Sequence, residues 1–239
     1  MQQNKITILS TRPLQAAIVN KAAEQNIFIE AVSFIETEPI AGKDLKKNIA
    51  GFAKQSQTVV FTSMNAVETV VWYLDQVKPN WKIFCIGPAT KKLATGYFGE
   101  EAITGIADSA SALADEIISR KNIPAVLFFC GDKRRDELPE KLKMQGIEVN
   151  EIVVYKTIAS SQQIKKKYDA ILFYSPSAVA SFFSANKIPG ETILFAIGNT
   201  TAAEIKKFAN NKIVISNEPL KELLAEQAIS FFIKNPIHH

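Results

Sequence analysis

The residues best suited to chemistry sit in four loops of one design: VVFTSMNAV, IFCIGPATKKL, ILFYSPSAV and LFAIGNTTAAEI. Each is an apolar run, a short polar turn and the start of a helical pattern. Ser63, Ser175, Ser177, Thr200 and Thr201 are of the types that cap helix N-termini. Gly87 and Gly198 allow the backbone to turn tightly. Unpaired N–H groups at helix starts attract anions. Capping alone explains any one of these loops, but the recurrence of the design favours a ligand site. Tyr155 ends a long β-run, IEVNEIVVYKT, where packing and chemistry are equal readings of its position. In GDKRRDEL, a glycine precedes a basic turn that suits phosphate or carboxylate, although Arg134 and Arg135 equally suit a solvent-facing helix start.

Much other chemistry has no residues to carry it. Neither GxGxxG nor GxxxxGK[ST] is present, which argues against a nucleotide-using Rossmann enzyme. No GxSxG elbow occurs. The only histidines are His238 and His239, so a Ser-His-Asp triad or a histidine-held zinc is not expected. Cys85 and Cys130 each close an apolar run and read as core residues. The net charge of +4 is mild. Lys and Arg are not gathered on one face or interleaved with aromatics, so nucleic acid is not an expected partner, whereas a small polyanion is compatible. No apolar run approaches the roughly 20 residues that span a bilayer. The opening residues lack the pattern of a secretory signal, and a cytoplasmic protein is the expectation.

The elements that must position these loops alternate. Strand candidates are 6–9, 27–35, 58–62, 83–86, 102–104, 125–130, 148–155, 170–174, 192–197 and 212–215, with helical patterns between them. In the last helix Leu220, Leu223, Leu224, Ala228, Phe231 and Phe232 form an apolar stripe. Such alternation predicts an α/β fold of parallel sheets covered by helices on both faces, with ligands at the carboxyl ends of the strands. Ten strands suit two five-stranded sheets. The chain also repeats itself. NIFIEAVSFIET (26–37) resembles GIEVNEIVVYKT (146–157), and TSMNAV followed by IGPAT resembles YSPSAV followed by IGNTT, 111–112 residues later. ADSASALADEI (107–117) weakly echoes NEPLKELLAEQ (217–227). The reading favoured here has a first domain of residues 1–35 and 159–239, a second of 41–153, and linker strands at 36–40 and 154–158 around a cleft. No apolar helix face is left over, so a monomer is expected.

Taken together, STRP (10–13), FTSMNAV, IGPAT, CGDKRRDELPEKLKMQGIEVNEIVVYKT, YSPSAV, IGNTTA and NEPLKELL resemble the uroporphyrinogen-III synthase family over nearly the whole chain. The resemblance implies two flavodoxin-like α/β domains joined by a two-stranded linker, and an enzyme of haem biosynthesis that needs no cofactor and no metal. The implied substrate is hydroxymethylbilane, a linear tetrapyrrole polycarboxylate, handed over transiently by hydroxymethylbilane synthase. The implied reaction, that of a cyclising lyase, loses water and inverts ring D on closure. By the same resemblance Tyr155 assists departure of hydroxide, since a phenol holds a proton at neutral pH. Arg12, Ser63, Asn65, Gly87, Thr90, Arg135, Ser175, Ser177, Gly198, Thr200 and Thr201 would bind the carboxylates or shape the site. The competing reading is a non-enzymatic two-domain protein that closes on a small molecule about a hinge.

Overall fold

The computed structural model describes residues 5–218 and 220–235. His238 and His239 lie outside the described residues, as does Pro219 of the NEPLKELL motif. The chain divides into two compact units, Met1–Glu36 with Ile158–His239, and Thr37–Thr157.

In the first unit, β1 (Ile6–Ser10), α1 (Ala16–Glu24) and β2 (Ile27–Ala31) come first in the chain. β9 (Ala170–Phe173), α7 (Pro176–Ala185), β10 (Ile193–Ala196), α8 (Asn199–Ile205), β11 (Ile213–Ile215) and α9 (Lys221–Lys234) complete it. The strands form one parallel sheet in the order β11-β10-β9-β1-β2.

The second unit contains α2 (Lys43–Ala53), β4 (Gln57–Phe61), α3 (Met64–Leu74), β5 (Trp81–Ile86), α4 (Pro88–Phe98) and β6 (Ile103–Ala107). It continues with α5 (Ala110–Ser119), β7 (Ala125–Gly131), α6 (Glu137–Met144) and β8 (Glu148–Ala159). With β3 (Ile35–Pro39) these strands form a six-stranded sheet in the order β3-β8-β7-β4-β5-β6. All its pairs from β8 to β6 are parallel. Beside β8, Ile40 N–H donates to the Val154 carbonyl and Ser160 N–H to the Phe34 carbonyl, which sets β3 antiparallel to it.

Both faces of each sheet are buried, and this explains why the strands read as continuous apolar runs. Along β4, Val59 and Phe61 enter one core with Ile83, Leu127 and Phe129, while Val60 enters another with Phe84, Val126 and Phe128. The first unit repeats the plan: Ile6, Ile8, Leu172 and Phe195 lie in one core, and Leu9, Ile171, Phe173 and Leu194 in another.

The sequence repeat maps one sheet onto the other strand for strand. β2, β1, β9, β10 and β11 correspond to β8, β7, β4, β5 and β6, and the spatial orders agree. Only the chain order differs: the strand–helix–strand unit that opens the first sheet closes the second. Asn26 and Gly146 begin the repeated segments, and both turn the chain from helix to strand at φ 59° and 75°. The left-handed region is open to glycine and, among other residues, best tolerated by asparagine.

Several expectations change. The run 27–35 is two strands, because Phe34 turns into the core against Phe182, with ring centroids 5.1 Å apart, and ends the alternation. Among the described residues the count is therefore eleven strands, in sheets of five and six. The buried stripe of α9 is Leu224, Ala225, Ala228, Ile229 and Phe232, whereas Leu220 and Leu223 are exposed. An apolar helix face is left over after all, on α3 and α4, where Trp72 is 65% exposed. Cys85 and Cys130 are buried, and burial pushes both thiols up to about 11. No helix among the described residues is long and apolar enough to cross a membrane.

Candidate functional site

In the second unit Ser63 ends the turn after β4 and caps α3. Its backbone is extended, and its Oγ accepts from Ala66 N–H at 3.3 Å. The same hydroxyl donates to Tyr155 Oη at 3.1 Å, across 92 residues of chain. The result is a directed chain of hydrogen bonds, from helix amide to serine to phenol. Tyr155 oxygen is the acceptor in this chain, and among the described residues no acceptor takes its own proton.

The ring of Tyr155 lies flat over Gly131. A Cβ built on Gly131 would stand 2.5 Å from both Cε2 and Cζ of the ring and 2.8 Å from the hydroxyl. Opposite Tyr155 the register of β7 on β8 shifts between Cys130 and Gly131. Asp132 N–H then donates to the Tyr155 carbonyl at 3.1 Å, and the Asp132 carboxylate accepts from Thr157 N–H at 2.8 Å. A bulge of this kind re-aims a side chain at a sheet end. Gly131 and Asp132 therefore position Tyr155. Reading the sequence missed both roles; the only signal was the glycine before the basic turn.

The other predicted residues of this unit divide. Gly87 takes φ +77°, caps α4 and donates its N–H to the Ala107 carbonyl at 2.9 Å, while Pro88 follows at the first helical position without an N–H. The anion-binding capacity of this turn thus falls to the amides of Ala89 and Thr90. The Thr90 side chain is 5% exposed, and Asn65 is half-buried in the first turn of α3. Arg135 is exposed with no ion pair among the described residues, while its neighbour Arg134 is held by Asp136 and Glu151.

In the first unit the STRP turn is pinned by its neighbours. Thr11 is fully buried, and its hydroxyl donates to the Leu172 carbonyl at 2.8 Å. Ser10 Oγ donates to the Arg12 carbonyl at 2.5 Å, leaving the Arg12 side chain exposed at the loop. Ser175 caps α7 through Ala178 N–H at 3.2 Å, and Ser177 lies half-buried in the first turn. Three of the predicted caps are not caps: Ser177 lies inside α7, Thr200 and Thr201 lie inside α8, and Gly198 is the α8 cap. Thr201 is 1% exposed, so its side chain offers a ligand little surface, whereas Thr200 is exposed. Gly198 has φ −179°, extended backbone that any residue adopts, so the tight turn expected there is absent. Tyr174, also missed, ends the apolar run before Ser175. It is 7% exposed, its hydroxyl makes no well-aligned hydrogen bond among the described residues although Ser10 stands beside it, and burial pushes the phenol up to about 12. Among the described residues no group of three or more His, Cys, Asp or Glu is placed to hold a metal.

Comparison with known proteins gives a consistent result. A family model described as Uroporphyrinogen-III synthase HemD matches residues 17–226. A Saccharomyces cerevisiae protein named Uroporphyrinogen-III synthase is 31% identical over 166 residues, a stretch covering 56% of this chain and 57% of the yeast protein. Among solved structures, the uroporphyrinogen-III synthetase of Helicobacter pylori superposes with a TM-score of 0.64 at 17% identity, over 95% of this chain and 99% of that one. A mutant uroporphyrinogen III synthase of Thermus thermophilus superposes with a TM-score of 0.57 at 12% identity, over 96% and 99%. At these identities the two structures speak to the fold.

Proposed function

The chain belongs to the uroporphyrinogen-III synthase family, and from that premise we propose that it cyclises hydroxymethylbilane to uroporphyrinogen III in tetrapyrrole biosynthesis, in the cytoplasm. Membership favours this over the non-enzymatic binder. The observation that carries the reading is the hydrogen bond from Ser63 to Tyr155, which leaves the phenol proton with no acceptor among the described residues.

Tyr155 gives that proton to the hydroxyl leaving the ring A carbon. The C–O bond breaks, water departs and a cationic azafulvene remains. The substituted carbon of ring D attacks this cation, and the spiro intermediate fragments and recloses with ring D inverted. The proton lost as the last ring regains aromaticity restores the phenol, so the balance is one water. Because free hydroxymethylbilane closes without inversion, holding the folded chain in one geometry is a large part of the work. Arg12 and Arg135, with the amides at the starts of α3, α4 and α7, bind carboxylates. Substrate arrives by transient hand-over from hydroxymethylbilane synthase. Residues 36–40 and 154–158 act as the linker between domains of 1–35 with 159–239 and of 41–153.

The test is a coupled assay with porphobilinogen and hydroxymethylbilane synthase. The products are oxidised, and the I and III isomers separated by chromatography. Isomer III that depends on this protein is the expected result. Isomer I alone, from a folded sample, would overturn the activity and leave the family membership standing.

A further inference from the structure

At the amino ends of β9 and β10, the end of the sheet opposite the Ser175 loop, the first unit holds a cavity of about 280 Å³. We infer that this cavity binds a small aromatic carboxylate, away from the polar loops of the same unit. Ile171 and Phe182 close its floor, and Ile164 and Ile188 stand half-buried at its walls. Lys165, Lys166, Lys167 and Lys187 form its rim, and no acidic side chain lines it among the described residues. Lys166 is tied to Glu30 at 2.8 Å. The other three lysines are exposed and form no ion pair among the described residues.

The cavity is preformed. Its two rims are irregular segments, 161–169 and 186–192, and side chains hold both in place. Asn186, which ends α7, accepts from Ile164 N–H at 2.7 Å. Its amide nitrogen donates to the Gln162 carbonyl at 2.7 Å and to the Phe182 carbonyl at 2.8 Å. The Thr192 hydroxyl donates to the Tyr168 carbonyl at 2.9 Å, and Asn211 Nδ2 donates to the Pro189 carbonyl at 2.7 Å. Segments pinned in this way cannot fold over the floor without breaking those bonds, so little ordering entropy is lost when a ligand enters. The lining selects the ligand. An apolar pocket with a few charged groups at its edge takes an apolar body with one anionic end. Clustered lysines repel one another, and an anion among Lys165, Lys167 and Lys187 relieves that repulsion. Inorganic phosphate would meet the lysines and leave the apolar floor uncovered. A long acyl chain would outgrow the space. A flat ring fills a short apolar pocket, and a carboxylate on the ring reaches the ammonium groups.

The test is calorimetric titration of the full chain with 2-naphthoate at low salt, with amide NMR shifts to locate the ligand. One site is expected, with a Kd of about 10–500 µM, the range open to a ligand of this size. The shifts should centre on Ile164, Asn186 and Ile188. Lys167→Gln combined with Lys187→Gln raises the Kd about tenfold or more, since two charge-assisted contacts are lost. Both side chains are exposed, so the fold is kept, and circular dichroism melts check this. 2-Naphthamide lacks the charge and inorganic phosphate lacks the apolar body, so each binds about tenfold or more weakly than 2-naphthoate. Arg12→Gln and Arg135→Gln leave the Kd unchanged, which keeps this site distinct from the loops proposed to hold the substrate. Absence of heat and of shifts up to about 5 mM overturns the inference. So do shifts confined to the Ser63 and Ser175 loops, a Kd indifferent to the lysine pair, or tighter binding of decanoate than of 2-naphthoate.

Discussion

In the proposed reaction Tyr155 donates, with Ser63 occupying its oxygen as an acceptor and Gly131 leaving its ring a flat bed. Tyr155→Phe keeps the ring and removes the proton, so turnover to isomer III should fall about a hundredfold with the melting temperature retained. Unchanged turnover would remove Tyr155 from the reaction. Gly131→Ala puts a methyl group 2.5 Å from the ring, so the ring must shift; the expected outcome is a loss of turnover comparable to that of Tyr155→Phe in a folded protein. Tyr174 gives a prediction about pH instead. Its folded pKa of about 12 lies above the ordinary phenol value, so between about pH 10 and 12 the unfolded state loses a proton that the folded state keeps. Stability is full below that window and falls across it. Tyr174→Phe should flatten part of the fall and, because the buried hydroxyl it removes has at best a poorly aligned bond to Ser10, leave stability at pH 7 little changed. The buried thiols, at about 11, account for some of the remaining slope. If melts from pH 9 to 12 were the same in the variant and the parent, this assignment would fail.

Among the elements, the serine loops were legible because capping is a local property: the residue that accepts the helix amide stands three positions before it. The glycine loops were legible in place but not in kind. Gly87 holds a positive φ and Gly198 does not, although the two sit at matching points of the repeat. Gly87→Ser should therefore lower stability by about 1–2 kcal/mol in thermal or urea melts, as expected for a side chain forced into the left-handed region. Gly198→Ser should cost nothing measurable, since its backbone is extended and its surroundings are open. Equal losses at the two sites would show that something other than φ governs them. The strands were legible as apolar runs, but the break after Ala31 was not, because Phe34 leaves the alternation only to meet Phe182, far along the chain.

At the scale of the whole molecule, the modest excess of positive charge and the exposed Arg12 and Arg135, which form no ion pair among the described residues, suit a substrate with many carboxylates. Salt screens such attraction, so raising it from about 50 to 500 mM should increase KM several-fold and change kcat little; a flat KM would mean that backbone amides alone hold the carboxylates. By itself the sequence determined the number and kind of the elements almost completely, placed the polar loops at the carboxyl ends of strands, and displayed the duplication. Those are properties of periodicity, capping and local likeness, which neighbouring residues express together. Only the tertiary structure decided the shared order of the two sheets, the bulge that aims Tyr155, the bond that Ser63 makes to it, the burial of Thr201 and the open face of α3 and α4. Each of these depends on residues far apart in sequence meeting through sheet register and packing, and no local pattern carries that information.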